Sequence, residues 1–460
     1  MCIRDRSEEG LNIMGGLFPS SPTIGVGFNE NLAWGATVNK PDLVDIFALT
    51  TNAKEPDKYL LDGRWRSFRE KTIKLKVKLF GFLPWQVKRK ALYTEHGPAI
   101  ETPHGIYAIR YAGMGEVKQI EQWLAMNKAT NFEEWLAALA QHTFASFNFV
   151  YSDKDGNIAF IHNSMTPVRI PGYNWHNYLP GDKSSLIWDS YIRFEKLPMV
   201  INPSSGYLIS ANQSPFFVTS DKDNPDRKNY SNEDGFPTRM TNRAVRGLEL
   251  LSELDKIDEQ TFSDIKHDKK YSKNSRAYKY LEKAMLADLG DLNTQKHEIY
   301  KNAQTILKKW DLSTDKNNRG AALGTCVIGA EWLAEQQGEN PPDPSGELKR
   351  CTDLLLDKID RIDPKWGKVN RHIRGEINVA LGGGPDTLRA IYGLGLEEKG
   401  YLTNIAGDGL YYLVSWDKDK KQKVLGIHQF GSSTLDENSP HYADQASAVS
   451  YTHLRAHETL

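Results

Sequence analysis

The stretch WGATVNKPDLVD, from Trp34 to Asp45, sets Asp42 and Asp45 around Val44 soon after an aromatic-glycine pair. A plain surface loop needs neither the aromatic nor the paired acids, whereas a catalytic loop beside a metal ion has use for both. Elsewhere the reactive residues are dispersed. No G-x-S-x-G elbow, Walker loop, H-E-x-x-H pair or Rossmann glycine fingerprint occurs. LGGGPD, Leu381 to Asp386, is glycine-rich but lacks the Lys-Ser/Thr of a phosphate loop, so it reads as a tight turn. His104, His142, His267, His372, His428 and His441 have no ligand spacing and read as surface or hydrogen-bonded histidines. Glu133-Glu134 and Glu397-Glu398 read as solvated charges. Taken alone, the residues supply no catalytic nucleophile.

The elements that must position any site are of two kinds. Up to about Ile109 the chain is strand-like: IGVGF, LVDIFALT, TIKLKVKLF, KALYTEH and IYAIRY are β-branched or aromatic runs between polar or Gly/Pro turns. DKYLLDGRWRSF predicts a hairpin turning at Asp62-Gly63, and NFVYSDKDGNIAFIHN a second one. Between them a helix is predicted, with Thr130 as its cap, Glu133 completing a capping box, and Phe132, Leu136 and Leu139 on one face. YLISAN, from Tyr207, predicts a short strand. From Asn242 to about Asp357 the period is helical, as in NRAVRGLELLSELDKI and ALGTCVIGAEWLAEQ, and strands return in GDGLYYLVSWD and KVLGIHQFG. Strands from both ends with helices between them predict one large layered α+β domain, and the lack of a fixed period excludes a solenoid or propeller.

Composition agrees with a globular protein. The 460 residues are 39% hydrophobic and 25% charged, with 58 Lys and Arg against 59 Asp and Glu, so no long-range attraction to nucleic acid or to an anionic membrane is indicated. No apolar run approaches the roughly 20 residues of a spanning helix. MCIRDR at the start and VSYTHLRAHETL at the end read as one sequencing adaptor translated from its two strands. Residues 1–6 and 449–460 are therefore set aside as scars, leaving 7–448 as the fold and a natural chain expected to extend both ways. That removes Cys2. Cys326 and Cys351 remain, either paired or as separate buried thiols.

GLNIMGGLFPSSPTIGVGFNENLAWGATVNKPDLVDIFALT resembles the penicillin acylase family of N-terminal-nucleophile hydrolases, in the part of the β-chain that follows its catalytic amino terminus. FNFVYSDKDGNIAFIHNSMTPVR, NPSSGYLISANQSP, RMTNRAVRGLELL, LGGGPDTLRAIYG and SPHYADQA follow in the family's order, from about Glu8 to Ala448. The resemblance implies a four-layer αββα core with a helical insertion at about 242–357, and a precursor that cleaves itself to expose a serine. The α-amino group of that serine takes the hydroxyl proton, which explains why no His-Asp pair is found. It also implies a periplasmic or secreted protein, a partner α-chain from the same precursor, an N-acylated small-molecule substrate and no organic cofactor. Candidate substrates are N-acyl-homoserine lactones, lipopeptides and β-lactam side-chain amides, with the wording of PTIGVGFNENLAWGAT closer to the long-chain acylases.

Carried over by position, the backbone N–H of Val38 and the side-chain amide of Asn212 fall on the two oxyanion donors, and Arg243 on an arginine that orients the amine and the Asn. The same resemblance makes Asp42, Val44 and Asp45 the ligands of a structural Ca²⁺ found in several members, with Asp223 (or Asp221) adding a carboxylate. The alternative is that Asp42 and Asp45 cap a turn. One departure stands out: the leading Ser-bearing segment is replaced by MCIRDR, and Ser7 is misplaced for the nucleophile, so this chain is expected to be inactive alone. Two other readings are a non-catalytic binding homologue, and a Ser-His-Asp hydrolase built on Ser146 or Ser432.

Overall fold

The computed structural model describes residues 2–18, 20–291, 293–428, 431, 433, 435–446 and 455–456; Ser432 and the side chain of His428 lie outside them. The main sheet has seven antiparallel strands in the order Cys2–Arg6, Asn12–Gly16, Val26–Phe28, Leu32–Thr37, Ser146–Asp153, Ile158–Ser164 and Met199–Ile201. Gly15 and Gly27 face each other in it, and a Cβ on Gly15 would lie 2.1 Å from the Val26 carbonyl oxygen, so the strands approach this closely only with glycine there. The segment set aside as a scar, residues 2–6, is drawn onto the sheet's edge beside Asn12–Gly16. Main-chain pairing makes no demand on side-chain identity, so an open edge accepts any extended neighbour.

The helices Gln119–Lys128 and Phe132–Leu139 cover one face of this sheet, burying Trp123, Met126 and Trp135 against Leu32, Phe149 and Tyr151. Each fully buried aromatic there contributes about 1.5–3 kcal/mol. The capping differs by one residue from the expected Thr130–Glu133 pair. Asn131 is the cap, accepting from the Glu134 N–H, while the Glu134 carboxylate accepts from the Thr130 N–H and hydroxyl. The extended backbone of Asn131 aims its short side chain at the open N–H, which Thr130 is one position too early to reach.

On the other face lies a second sheet, Leu410–Trp416 and Gln422–His428, with Tyr412 packed edge-on against Phe28 at 5.1 Å. Helices Asn242–Ser252 and Glu259–Lys266 pack with both sheets: Leu251 and Phe262 line a cavity with Val26 and Val150 of the first sheet and Tyr412 of the second, and His267 bonds to Tyr411. Helices and two facing sheets make up the αββα core. Four more helices, Arg276–Leu286, Thr294–Lys309, Ala321–Gln337 and Pro344–Ile359, form a separate apolar cluster, the last two joined by a Cys326–Cys351 disulfide. A six-stranded sheet flanks the core in the order Leu179–Pro180, Val44–Leu49, Gly105–Tyr111, Pro98–Thr102, Leu83–Tyr93 and Arg69–Leu79. Both predicted hairpins form. No helix among the described residues is long and apolar enough to cross a membrane.

Candidate active site

The strand Leu32–Thr37 delivers Val38 to an exposed position at its end, and Thr37 anchors that end through a 2.7 Å hydroxyl contact with Ser210. Tyr207–Asn212, predicted as a strand, is instead irregular. Its carbonyls are taken by side chains: Gln213 Nε2 donates to Ile209 O at 2.9 Å, and Thr219 Oγ1 donates to Tyr207 O at 2.8 Å. Asn212 ends the segment at φ +65°, a left-handed conformation that Asn tolerates better than most residues. From there its Nδ2 donates to Val38 O at 2.7 Å.

Arg243 fixes that amide. It sits in the first turn of helix Asn242–Ser252, capped by Thr241, and its Nη2 donates to Asn212 Oδ1 at 2.8 Å. A guanidinium has no acceptor, so the Asn212 atom facing it must be the oxygen and the N–H₂ group must face Val38. Arg243 is held in turn by Asp386, whose Oδ1 accepts from Nε at 3.1 Å while Oδ2 accepts from the Asn242 N–H at 2.7 Å. Burial, the largest single influence, would lower the Arg243 pKa, but Asp386 with Tyr392 and Asp408 together raise it. Asp386 lies in the LGGGPD segment, which folds as the tight turn expected of it. Its role as the anchor of Arg243 is not visible in the sequence.

Behind Val38, Ser146 Oγ donates to Asn39 Oδ1 at 2.7 Å, and Asn39 Nδ2 donates to Asn163 O at 3.1 Å. His162 Nδ1 is 2.8 Å from Asn148 Oδ1, and burial pushes its pKa down to about 3, so the ring is neutral. Ser146 is thus bonded to an amide, not to a histidine, which removes its support as a His-activated nucleophile. Ser7 lies in the turn after the edge strand, its main-chain N–H donating to Leu11 O at 2.9 Å, and that nitrogen is part of a peptide bond. Ser146 therefore has no base bonded to it, and the side chain of Ser7 meets the exposed carboxylate of Glu9, whose pKa that bond lowers.

An apolar cavity of about 590 Å³ opens beside this network, lined by Leu43, Tyr111, Trp123, Phe144, Ser146 and Phe147. Phe18 stacks on Phe147 with ring centroids 5.8 Å apart. The other side of Asn212 is cationic. Arg239 Nη2 donates to Asn212 O at 3.4 Å, Arg239 pairs with Glu335 and Arg276 with Glu331, and Lys40 stands nearby. Partial burial, then the charges of Arg239 and Arg276, lower the Lys40 pKa.

The acid loop is organised differently from the calcium site expected of it. Arg169, its side chain 1% exposed, lies between the carboxylates, 3.0 Å from Asp45 Oδ1 and 3.3 Å from Asp42 Oδ2. It also donates to Asp45 Oδ2 at 3.1 Å, Asp42 O at 3.1 Å and Glu233 O at 3.2 Å. Trp188 Nε1 adds a bond to Asp45 Oδ2 at 2.6 Å. Burial raises the Asp45 pKa against the opposing pull of Arg169. Val44 is paired to Tyr111 in the flanking sheet, and Asp223 accepts from Ser204, Ser205 and Ser220 in a turn of its own. As folded, these residues do not fit a calcium ion, because a guanidinium already supplies the positive charge the loop requires. Among the described residues, no three His, Cys, Asp or Glu side chains gather where they could hold a metal.

The sequence pattern of the family described as Penicillin amidase matches residues 5–457. Penicillin G acylase of Escherichia coli is 30% identical over 258 residues, covering 55% of this chain and 28% of that protein. Acyl-homoserine lactone acylase PvdQ of Pseudomonas fluorescens (strain Pf0-1) is 23% identical over 500 aligned positions, covering 96% of this chain and 62% of that protein. The chain therefore spans less than two thirds of the length of these curated relatives. Among solved structures, a thermostable penicillin G acylase from Alcaligenes faecalis superposes with a TM-score of 0.67 at 18% identity, over 100% of this chain and 90% of that one.

Proposed function

The chain belongs to the penicillin amidase family, and from that membership we propose that it is the β-chain part of an amidohydrolase acting on N-acylated small molecules. Its nucleophile is an N-terminal serine carried by a segment ahead of Glu8. The observation that carries this reading is the hydrogen-bonded series Asp386–Arg243–Asn212–Val38, with an apolar cavity lined in part by Ser146, which bonds to Asn39 next to Val38.

The acyl group enters the cavity, whose size and aromatic lining suit a medium alkyl chain or an aryl ring. The serine hydroxyl attacks the amide carbon as its own α-amino group takes the proton. The carbonyl oxygen becomes an oxyanion, held by the Val38 N–H and by the second Nδ2 hydrogen of Asn212. The C–N bond then breaks, the proton passes to the leaving amine, and water cleaves the ester. An uncharged donor suits Asn212, since a cation there would retain the product carboxylate. The cationic side of Asn212 suits a polar amine half. An α-chain from the same precursor completes the site, and the Cys326–Cys351 disulfide supports export to an oxidising compartment.

The test is acyl-chain profiling of a completed, Ser-led enzyme on N-acyl-homoserine lactones and on phenylacetyl amides. Long-chain turnover supports the reading. Preference for phenylacetyl counts against a long-chain substrate, and no turnover of any amide sinks the hydrolase itself.

A further inference from the structure

The near-neutral total charge conceals one strongly polarised element. Strands Arg69–Leu79 and Leu83–Tyr93 form a hairpin of 11 residues a side, joined to the flanking sheet only through Tyr93 and Leu92 against Pro98 and Ala99. At roughly 3.4 Å per residue it reaches about 35 Å from its root. It carries eight Lys and Arg (Arg69, Lys71, Lys74, Lys76, Lys78, Lys88, Arg89, Lys90) against one acid, Glu70, which pairs with Lys90.

From Lys74 to the tip the register separates charges from apolar groups, while nearer the root Arg69, Lys71 and Arg89 share the apolar side. Leu75 faces Val87, Val77 faces Trp85 and Leu79 faces Leu83 on one side, while Lys74 faces Lys88 and Lys76 faces Gln86 on the other. Both sides are open to solvent, Trp85 being 56% exposed, and the tip carries Phe80 and Phe82 at 86% and 77%. In water this is an unfavourable arrangement. A two-stranded ribbon is marginal by itself, like charges directly opposite repel, and the apolar face is uncovered. A surface that is apolar inside and anionic outside relieves all three at once.

We infer that the 69–93 hairpin is a docking element for an anionic lipid surface, with Phe80, Phe82 and Trp85 entering the interface and the lysines meeting the headgroups. Aromatic residues at the water boundary and basic residues beside acidic lipid are the groups such a surface favours. A duplex nucleic acid offers the negative charge but nothing to cover the tip aromatics and the Leu75–Val77–Leu79 face.

The experiment is flotation of the full chain with vesicles of equal parts phosphatidylglycerol and phosphatidylcholine, against phosphatidylcholine alone, at low and high salt. The expected result is binding to the anionic vesicles only, weakened by salt. Each of Lys74→Gln, Lys76→Gln, Lys78→Gln and Lys88→Gln should lower partitioning about five-fold. Phe80→Ser with Phe82→Ser should lower it while leaving the melting curve unchanged, which separates lost docking from lost folding. Absent binding at low salt, or equal binding to neutral vesicles, overturns the inference. So does binding that the tip variant leaves intact and a DNA duplex competes away, which would indicate a polyanion site. Salt-independent self-association abolished by the tip variant would likewise overturn it, in favour of a second copy of the chain.

Discussion

Replacing Arg169 by Met should destabilise the fold more than any single change on the surface, and by an amount that depends on pH. Arg169 and Asp45 have side chains 1% and 0% exposed, and the guanidinium places its donors on both carboxylates and on two main-chain carbonyls. Met removes the charge but keeps most of the stem. Asp45 then keeps the Trp188 N–H and the charge of Arg110, which does not bond to it directly. Breaking a buried pair from one side costs about 3–5 kcal/mol, because the remaining ion is left uncompensated. The pH sign follows from linkage. Burial already raises the Asp45 pKa in the folded state, with Arg169 opposing, so removing Arg169 raises it further. A carboxyl with a raised folded pKa is penalised where it must ionise in the folded state, above that pKa. The penalty disappears below the unfolded value, about 3.9. The loss in Arg169→Met should therefore be largest near neutral pH and shrink on acidification. Arg169→Met with Asp45→Asn should recover more than half of it at neutral pH. Urea unfolding followed by tryptophan fluorescence measures both. A loss under about 1 kcal/mol, or one that does not change with pH, would refute the argument that this pair is the loop's buried ionic lock.

Four other outcomes are expected. Calcium or a chelator should leave the melting temperature of the chain unchanged, because Arg169 occupies the place between Asp42 and Asp45; a rise with calcium in differential scanning fluorimetry would contradict this. Asp386→Ala should cost about 2–4 kcal/mol by leaving the partly buried Arg243 without its anion and the buried Asn242 N–H without its acceptor, again read by urea unfolding, and a neutral result would remove Asp386 from the site. Cys326→Ser with Cys351→Ser should cost about 3 kcal/mol from the freed loop, with unchanged stability counting against a formed disulfide in solution. The 460-residue chain alone should release no fatty acid from an N-decanoyl amide above a matched blank; release that Ser146→Ala abolishes would revive the reading of Ser146 as a nucleophile.

Much of the fold was legible because period and turn chemistry are local. Asp62-Gly63 and the Asp-Lys-Asp-Gly-Asn turn both make the hairpins they predict. Val38, Asn212 and Arg243, taken from resemblance, are joined through Asn212, which bonds to both of the others. What stayed hidden depends on distant partners. Arg169 is one arginine in VRIPG, and nothing nearby announces that it meets acids more than 120 positions earlier. Asp386 looked like turn filling because its partners, Asn242 and Arg243, lie 144 and 143 positions away. Tyr207–Asn212 has the alternation of a strand, but side chains take the Tyr207 and Ile209 carbonyls and Asn212 turns left-handed, so the main-chain bond from Ile209 N–H to Val218 O does not extend into a ladder. The balanced total charge hid the basic hairpin, since summing over the chain discards position.

In the proposed reaction Asn212, oriented by Arg243, stabilises the oxyanion of the acyl-transfer step. The most direct measurement is kcat for hydrolysis of an N-acyl amide by a completed, Ser-led enzyme and its Asn212→Ala variant. The expected result is a fall of about 10²–10³ in kcat with the variant still folded and still binding the acyl group. Equal kcat in the two proteins would contradict it.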